Sequence, residues 1–552
     1  MIGVAVDPAD REVAGEFFEL FKTPWEFWRK EGSYDAVLCT LDSIPDQRPR
    51  LLLLYGSRSM PFDQARKNLL HSRYSGTGLV FGNTRIPIHG GVATFACASD
   101  AGLREESSGK AALFAEHVED SAILRVGYDL FDEIRHLLTV GQPAKDAGLP
   151  TLELHIALLR NLMTGMGLAV VEIPPIPDRH PFIVCLTHDI DHPAIRNHWC
   201  DHTMFGFLYR ATVGTLTSVC RGRKPLRDLC SNWTAALKLP FVYLGMAQDF
   251  WAQFDRYATL EQGMGSTYFV IPRKNDPGKG LDGNVAAARA ARYDLVDVEP
   301  QLKRVLSSGC EVELHGIDAW CESGKGREEG DMVSQALGTQ PSGVRMHWLY
   351  FDSGSPRALE EAGFLYDSTF GYNEAVGYRA GTGQVYKSLG TAGLYELPLH
   401  VMDTALFYPG RLNLSDADAW GAVLRLIDVA ARFGGVLTLN WHDRSIAPER
   451  LWEGFYLKLL QELKSRGAWF PGAAEAVGWF RARRSASFDF VRIENGVVKI
   501  KASVKAGSGA PGFRIRVHRP KVRKMEEPVL TGASPDFVDI PFQSDIETAI
   551  TF

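Results

Sequence analysis

Two aspartates one residue apart, Asp189 and Asp191, close the run Leu186-Thr187-His188-Asp189-Ile190-Asp191, which follows an apolar stretch and precedes His192-Pro193. Residues two apart in an extended strand share a face, so both carboxylates point the same way at the C-terminal end of that strand. As neighbouring anions they repel each other. A cation between them or a shared proton relieves the repulsion, and either arrangement suits a hydrolase. Taken alone, the pair also fits a solvated surface turn.

Three further strand ends carry reactive residue types. In Val312-Glu313-Leu314-His315-Gly316-Ile317-Asp318-Ala319-Trp320, His315 and Asp318 lie three apart. A helical turn starting at Gly316 sets them on one face, where they can grip one metal ion. A packed histidine with Asp318 as a helix N-cap is the other reading. In Gly343-Val344-Arg345-Met346-His347-Trp348, Arg345 can orient a carboxylate through bidentate bonds, and His347 with Trp348 can floor a sugar site. In Val436-Leu437-Thr438-Leu439-Asn440-Trp441-His442-Asp443, His442 follows a strand where a general acid would stand. A lone histidine is commonly just packed in a core, but four such strand ends together favour one convergent site.

The elements that must position these residues alternate between strand-like and helix-like patterns. Phe182 to Thr187, Thr267 to Ile271, Glu311 to Leu314, Gly343 to Met346, Leu394 to Leu397 and Val436 to Asn440 read as strands. Parallel strands joined by helices are the economical assembly, giving an α/β barrel or open sheet whose ligands sit at the strand C-termini. A long aromatic and helical insertion, about 192 to 265, either walls a cleft or adds packing. Pro174, Pro175, Pro177 and Pro181 form a stiff connector before this region. The mixed short runs ahead of it suggest a small α/β domain over 1–175. Beyond about residue 482, Phe488 to Ile493 and Val497 to Lys501 alternate around Glu494-Asn495-Gly496, predicting a hairpin in a small all-β domain over 483–552 that includes Gly507 and Gly509. Residues 176–482 are then the central domain.

The composition is that of a folded protein: 552 residues, 45% hydrophobic and 23% charged, with a formal net charge of −6. That charge offers nucleic acid no global attraction. Local basic stretches, Arg221 to Arg227 including Arg223, and Arg514 to Lys524 including Arg523, read as a solvated loop and a strand face. The start lacks a secretory signal, and no apolar run spans a bilayer, so a cytoplasmic location and no integral membrane segment are expected. The eight cysteines, Cys97 among them, show no paired spacing and fit reduced thiols. Leu54-Tyr55-Gly56-Ser57 ends a strand at a glycine, but no phosphate-binding motif supports a nucleotide site there.

Over about residues 180 to 480, the order of motifs resembles the polysaccharide deacetylase (NodB-homology) family. That family's first motif, Thr-Phe-Asp-Asp-Gly, is matched by Thr187-His188-Asp189-Ile190-Asp191 with the second aspartate displaced by one residue. Its second, His-(Ser/Thr)-x-x-His, meets His315-Gly316-Ile317-Asp318-Ala319, where the second histidine is absent and Asp318 stands one place early. Arg345 matches the arginine of its third motif, and His442 the histidine that ends its last strand. The resemblance implies a distorted (β/α) barrel and a metal-dependent hydrolase that removes acetyl groups from a carbohydrate. It implies Asp189 as base, Asp191 and His315 as metal ligands, His442 as acid and Arg345 holding Asp189 ionised; in the absence of the second histidine, Asp318 is the expected third ligand. Zinc is the expected metal, with Mn²⁺ as the harder alternative for a set containing one histidine. His347, Trp348, Trp320 and Trp441 are the expected sugar contacts. The rival reading is a carbohydrate-binding protein on an altered barrel, with Trp320, Trp348 and Trp441 as stacking platforms.

Overall fold

The computed structural model describes residues 1–43, 49–66, 70–96, 102–118, 121–222, 224–494, 496–504, 510–521 and 536–551. Cys97, Arg223, Asn495, Gly507, Gly509, Arg523 and Lys524 lie outside the described residues. The chain divides into two units. One comprises Met1–Arg179, Ala380–Leu389 and Trp479–Phe552, the other His180–Arg379 and Gly390–Gly478.

In the first unit, Leu51–Tyr55, Ala36–Cys39 and Ile2–Ala5 are parallel neighbours in a six-stranded sheet. These strands are buried throughout, as expected for a parallel sheet covered on both faces. The expected hairpin forms between Ser487–Glu494 and Val497–Ser503. Residues 483–552 do not stand apart, however. Phe513–His518 pairs antiparallel with Val170–Glu172, and the Glu172 carboxylate accepts from His518 Nε2 at 2.9 Å and from Arg160 Nη2 at 2.8 Å. Val170–Glu172 thus finds its ladder partner at the far end of the chain.

The second unit is built on Ile183–Ile190, eight buried residues that pair in parallel with Ser266–Val270 on one side and Val436–Asn440 on the other. Beyond Ser266–Val270 follow Glu311–Gly316, Gly343–Met346, Tyr366–Asp367 and Tyr395–Glu396, each parallel to the one before. Beyond Val436–Asn440 lies Val401–Met402, also parallel. Helices connect the strands and cover them. Leu295–Ser307 begins with a capping box between Asp294 and Asp297, and Asp416–Phe433 with the Ser415 hydroxyl accepting from the Asp418 N–H. Their apolar faces enter cores such as Leu302 with Leu314 and Val344, or Leu426 with Leu437 and Leu439.

The sheet is strongly curled. Ile183–Ile190 and Gly343–Met346 are separated by two strands, which in a flat sheet would put them about 14 Å apart. Arg345 Nη1 nevertheless donates to Thr187 Oγ1 at 2.8 Å and to Asp189 Oδ1 at 2.9 Å. The stretch from Tyr395 to Met402 is bonded to both flanks. Leu397 and Leu399 donate to Asp367 and Phe370, while His400 donates to Thr438 and Val401 pairs with Leu439.

The insertion folds as helices His202–Tyr209 and Leu226–Tyr243 with a π-helical turn at Arg210–Gly214. Their inner faces pack Met204, Phe207, Ala235 and Leu239 around Trp251. Their outer faces are also apolar: Phe205, Tyr209 and Val213 form one exposed row, and Trp233, Leu237 and Phe241 another. Among the described residues, no helix is long and apolar enough to cross a membrane.

Candidate active site

Strand alternation sets the orientation of the first motif. Thr187, Asp189 and Asp191 face inward. His188 points the other way, its Nδ1–H donating to the Trp441 carbonyl at 2.8 Å and its Nε2 meeting Glu261. Glu311–Gly316 places His315 beside Arg345 of the next strand, and His347 follows two residues on, so the two imidazoles meet across the sheet. His315 Nε2 and His347 Nδ1 are 3.1 Å apart, and each is 3.3 Å from Asp191 Oδ1. His442, just past Val436–Asn440, brings Nε2 to 3.7 Å from Asp191 Oδ2.

Asp189 is held from two sides. Oδ1 accepts from Arg345, and Oδ2 accepts from Asn440 Nδ2 at 2.7 Å. Burial opposes its charge, but the Arg345 guanidinium, with His315 and His442 behind it, keeps the carboxyl below its usual range. Arg345 is itself fixed by the Ser368 carbonyl and hydroxyl, at 3.0 and 2.9 Å, and lies over the Phe269 ring. His442 is oriented by Asp403, whose Oδ1 accepts from Nδ1 at 2.6 Å and whose Oδ2 accepts the His442 backbone N–H. Burial disfavours the imidazolium, yet Asp403 and then Asp191 push His442 up to about 9.

Asp191, His315 and His347 fit a divalent cation. Asp191 Oδ1 is buried and makes no hydrogen bond, and its carboxyl lies well below its usual range despite burial because His347 and His315 flank it. The His315 Nδ1–H donates to the Arg345 carbonyl at 2.8 Å, leaving the Nε2 lone pair turned toward Asp191. Edges of 3.1 to 3.3 Å between the three donor atoms match the spacing of about 3.3 Å between ligands of a tetrahedral ion bonded at about 2.0 Å. Among the described residues this is the one group of three such donors that converge.

The structure corrects several expected positions. Asp318 is outside the donor cluster. No helical turn starts at Gly316; the loop is tied by Glu329, which accepts the Ile317 and Asp318 backbone N–H groups, and Asp318 Oδ1 accepts from the Lys279 N–H at 2.7 Å. His347, expected as a sugar contact, takes the third donor position. Trp441 has no exposed surface, being stacked on Phe455 and Tyr456, and Trp320 is buried edge-on to Tyr350, so neither offers a platform. Trp348 is 41% exposed and lines the cavity, with positive φ at Trp348 and Leu349.

Asp403 and Asn440 complete the site without being legible as site residues. Asp403 ends Leu399-His400-Val401-Met402, a short apolar run whose polar end was the available signal. The donors open into a cavity of about 390 Å³ also lined by Tyr408, Arg411, Arg444 and Arg450. A smaller adjoining one, about 210 Å³, is walled by His202, Thr203 and Arg210 of the insertion.

No protein-family model and no curated protein matches the chain. Solved structures that match include a putative polysaccharide deacetylase from Mycobacterium smegmatis, 17% identical at a TM-score of 0.35 over 58% of this chain and 99% of that one. An allantoinase matches at 13% identity and a TM-score of 0.35, over 56% and 93%. A family 4 acetyl xylan esterase from Clostridium thermocellum, in complex with a cobalt ion, matches at 14% and 0.24, over 54% and 91%.

Proposed function

We propose that the second unit is a distorted (β/α) barrel of the NodB-homology type and a metal-dependent hydrolase that removes acetyl groups from an acylated carbohydrate. The observation that carries this reading is the placement of Asp191, His315 and His347 around one point, between a carboxylate held ionised by Arg345 and an imidazole backed by Asp403. The curl that brings Arg345 to Asp189, and the stretch Tyr395 to Met402 bonded to both flanks, support the barrel.

A divalent ion held by the three donors supplies Lewis-acid polarisation of the acyl carbonyl and a more acidic water. Two imidazoles and one carboxylate make the donor set richer in nitrogen than a single-histidine set, which favours zinc. The chain's own groups do the proton work. Asp189, with one oxygen on Arg345 and the other on Asn440, is kept unprotonated and takes the proton of the attacking water. His442, its Nδ1 engaged by Asp403, presents Nε2 to the cavity and delivers a proton to the departing amine or alkoxide. Trp348 at the rim supplies an apolar face for a sugar ring. With Trp320 and Trp441 buried, a binding-only barrel loses two of its three stacking platforms.

The test is acetate release from a panel of acetylated sugars by zinc-loaded protein, with elemental analysis alongside. Asp189→Asn should lower turnover by about 10² to 10⁴-fold while metal content holds. Asp191→Ala should lose both. Wild-type protein that takes up no divalent metal, or Asp189→Asn with full turnover, ends the proposal.

A further inference from the structure

Beside the donor cluster, the cavity wall carries cations that the chemistry above does not use. Arg444 and Arg450 line it and are 8% and 7% exposed. Among the described residues neither pairs with a carboxylate at ion-pair distance, and Arg444 Nη1 and Arg450 Nε are buried without any hydrogen-bond partner. What fixes them is aromatic and neutral. Arg444 lies over the Trp251 ring at 4.7 Å; Arg450 lies over Trp452 at 5.1 Å and donates from Nη1 to Ser445 Oγ at 2.9 Å. The acids nearby bond first to other groups, although Glu449 Oε2 is itself buried without a hydrogen-bond partner and Glu449 and Asp443 lie close enough to Arg444 to act on its charge. Asp443 accepts the backbone N–H groups of Arg444 and His192, Glu449 pairs with Arg210, and Asp403 holds His442.

Two buried guanidiniums near each other repel, and a buried donor without an acceptor is costly. Burial, and then the charge of Arg450, lower Arg444 to about 10. Arg411 adds a third cation at the exposed rim of the same cavity. On the opposite wall, Asp189 is already neutralised by Arg345 and Asp191 faces the two histidines. Asp191 and Asp443 are then set against three arginines, so the cavity is short of negative charge, and a divalent cation on Asp191 widens the deficit. Planar N–H edges held rigid by ring faces suit an oxyanion with several acceptor oxygens.

The geometry points to an oxyanion subsite formed by Arg444, Arg450 and Arg411 that takes the phosphate of a phosphorylated sugar, placing its acyl group at the Asp191 centre. The sugar and acyl part rests on the hydrolase reading; the oxyanion subsite does not. A phosphate monoester, a nucleoside diphosphate or a lipid-linked diphosphate all supply this chemistry.

The subsite is tested by titrating inorganic pyrophosphate, by calorimetry, into full-length Asp191→Ala protein with chelator present, so that no cation holds the anion. Binding is expected to weaken by about tenfold in Arg444→Gln or Arg450→Gln, less in Arg411→Gln, and to fall with added salt. Arg411 is exposed, so its variant reads the effect without disturbing the core, and Arg444→Lys, which keeps the charge, should retain part of the affinity. Equal affinity across wild type and all three glutamine variants overturns the subsite. So does competition by neutral N-acetylglucosamine as strong as by its 1-phosphate. Uridine-diphosphate and polyprenyl-diphosphate N-acetylglucosamine, compared with the 1-phosphate as competitors, separate the sources of the phosphate. Pyrophosphate binding with no acetate release from any substrate defeats the hydrolase reading alone. Acetate release from neutral sugars that is indifferent to the arginine variants defeats the subsite alone.

Discussion

His442 owes its orientation to Asp403, which grips both its Nδ1 and its backbone N–H. In the proposed chemistry, Asp403→Asn leaves the imidazole without its anionic partner, and turnover should fall by about ten- to a hundredfold. Metal content should stay at wild-type level, because Asp403 touches none of the three donors; equal loss of metal and turnover would assign it a different role. Arg345 belongs to site and core at once. Arg345→Met leaves the Asp189 carboxylate buried beside Thr187 without its cation, and unfolding by denaturant should show a loss of about 3–5 kcal/mol. Adding Asp189→Asn to that variant should restore part of it, whereas strict additivity would deny the coupling. At this scale the sequence was informative where spacing along one strand decides. The one-residue gap between Asp189 and Asp191 sets both on one face, and both enter the site. It misled where neighbours across the sheet decide. His347 meets His315 because two strands lie in parallel register, while Asp318 was assigned through a helical turn that does not form.

Alternation along Glu311–Gly316 aligns Glu311, Glu313 and His315 on one face, so the strand that presents a donor histidine at its C-terminal end also buries the Glu313 carboxyl and half-buries Glu311 behind it. Glu313 meets the Ser342 hydroxyl and the Gly343 N–H, at 2.9 and 2.8 Å, and burial pushes it up to about 8 from an ordinary 4.5. The folded chain thus holds a proton there that the unfolded chain gives up, and folding stability should decline as pH rises from about 4.5 to about 8. Glu313→Gln keeps a donor for Ser342 and an acceptor for Gly343. It should be more stable than wild type near pH 8 and show a shallower decline in thermal unfolding across that window; an unchanged slope would refute the assignment. Long buried strands such as Ile183–Ile190 and Val436–Asn440 are legible as apolar runs. Tyr366–Asp367 and Val401–Met402 are two residues each, too short for any period to register. Asp403 was missed for that reason.

Across the second unit, the curl of the sheet and the assembly of the candidate site depend on the same stretch. The stretch Tyr395 to Met402 is bonded to both flanks of the sheet and leads directly into Asp403, so the Asp403–His442 pair forms only once that stretch is seated. Protection of the Leu397, His400 and Trp441 amides from hydrogen exchange should therefore be lost in a single cooperative step with the core, not by local fraying. The division of the chain was harder to read. Residues 483–552 carry clear strand patterns, but the partner of Phe513–His518 is Val170–Glu172, more than three hundred residues upstream, and no local pattern announces such a pairing. The inner faces of the insertion helices were equally silent about their outer ones. Phe205, Tyr209, Val213, Trp233, Leu237 and Phe241 face water, Leu237 with 76% of its surface exposed. Water meets that patch as it would a droplet of oil, at about 25 cal/mol for each Å² left uncovered. The insertion helices should therefore weigh on the colloidal behaviour of the purified protein more than its net charge does. Leu237→Glu with Phe241→Lys should raise the concentration at which light scattering first departs from ideality, and leave the unfolding temperature where it was.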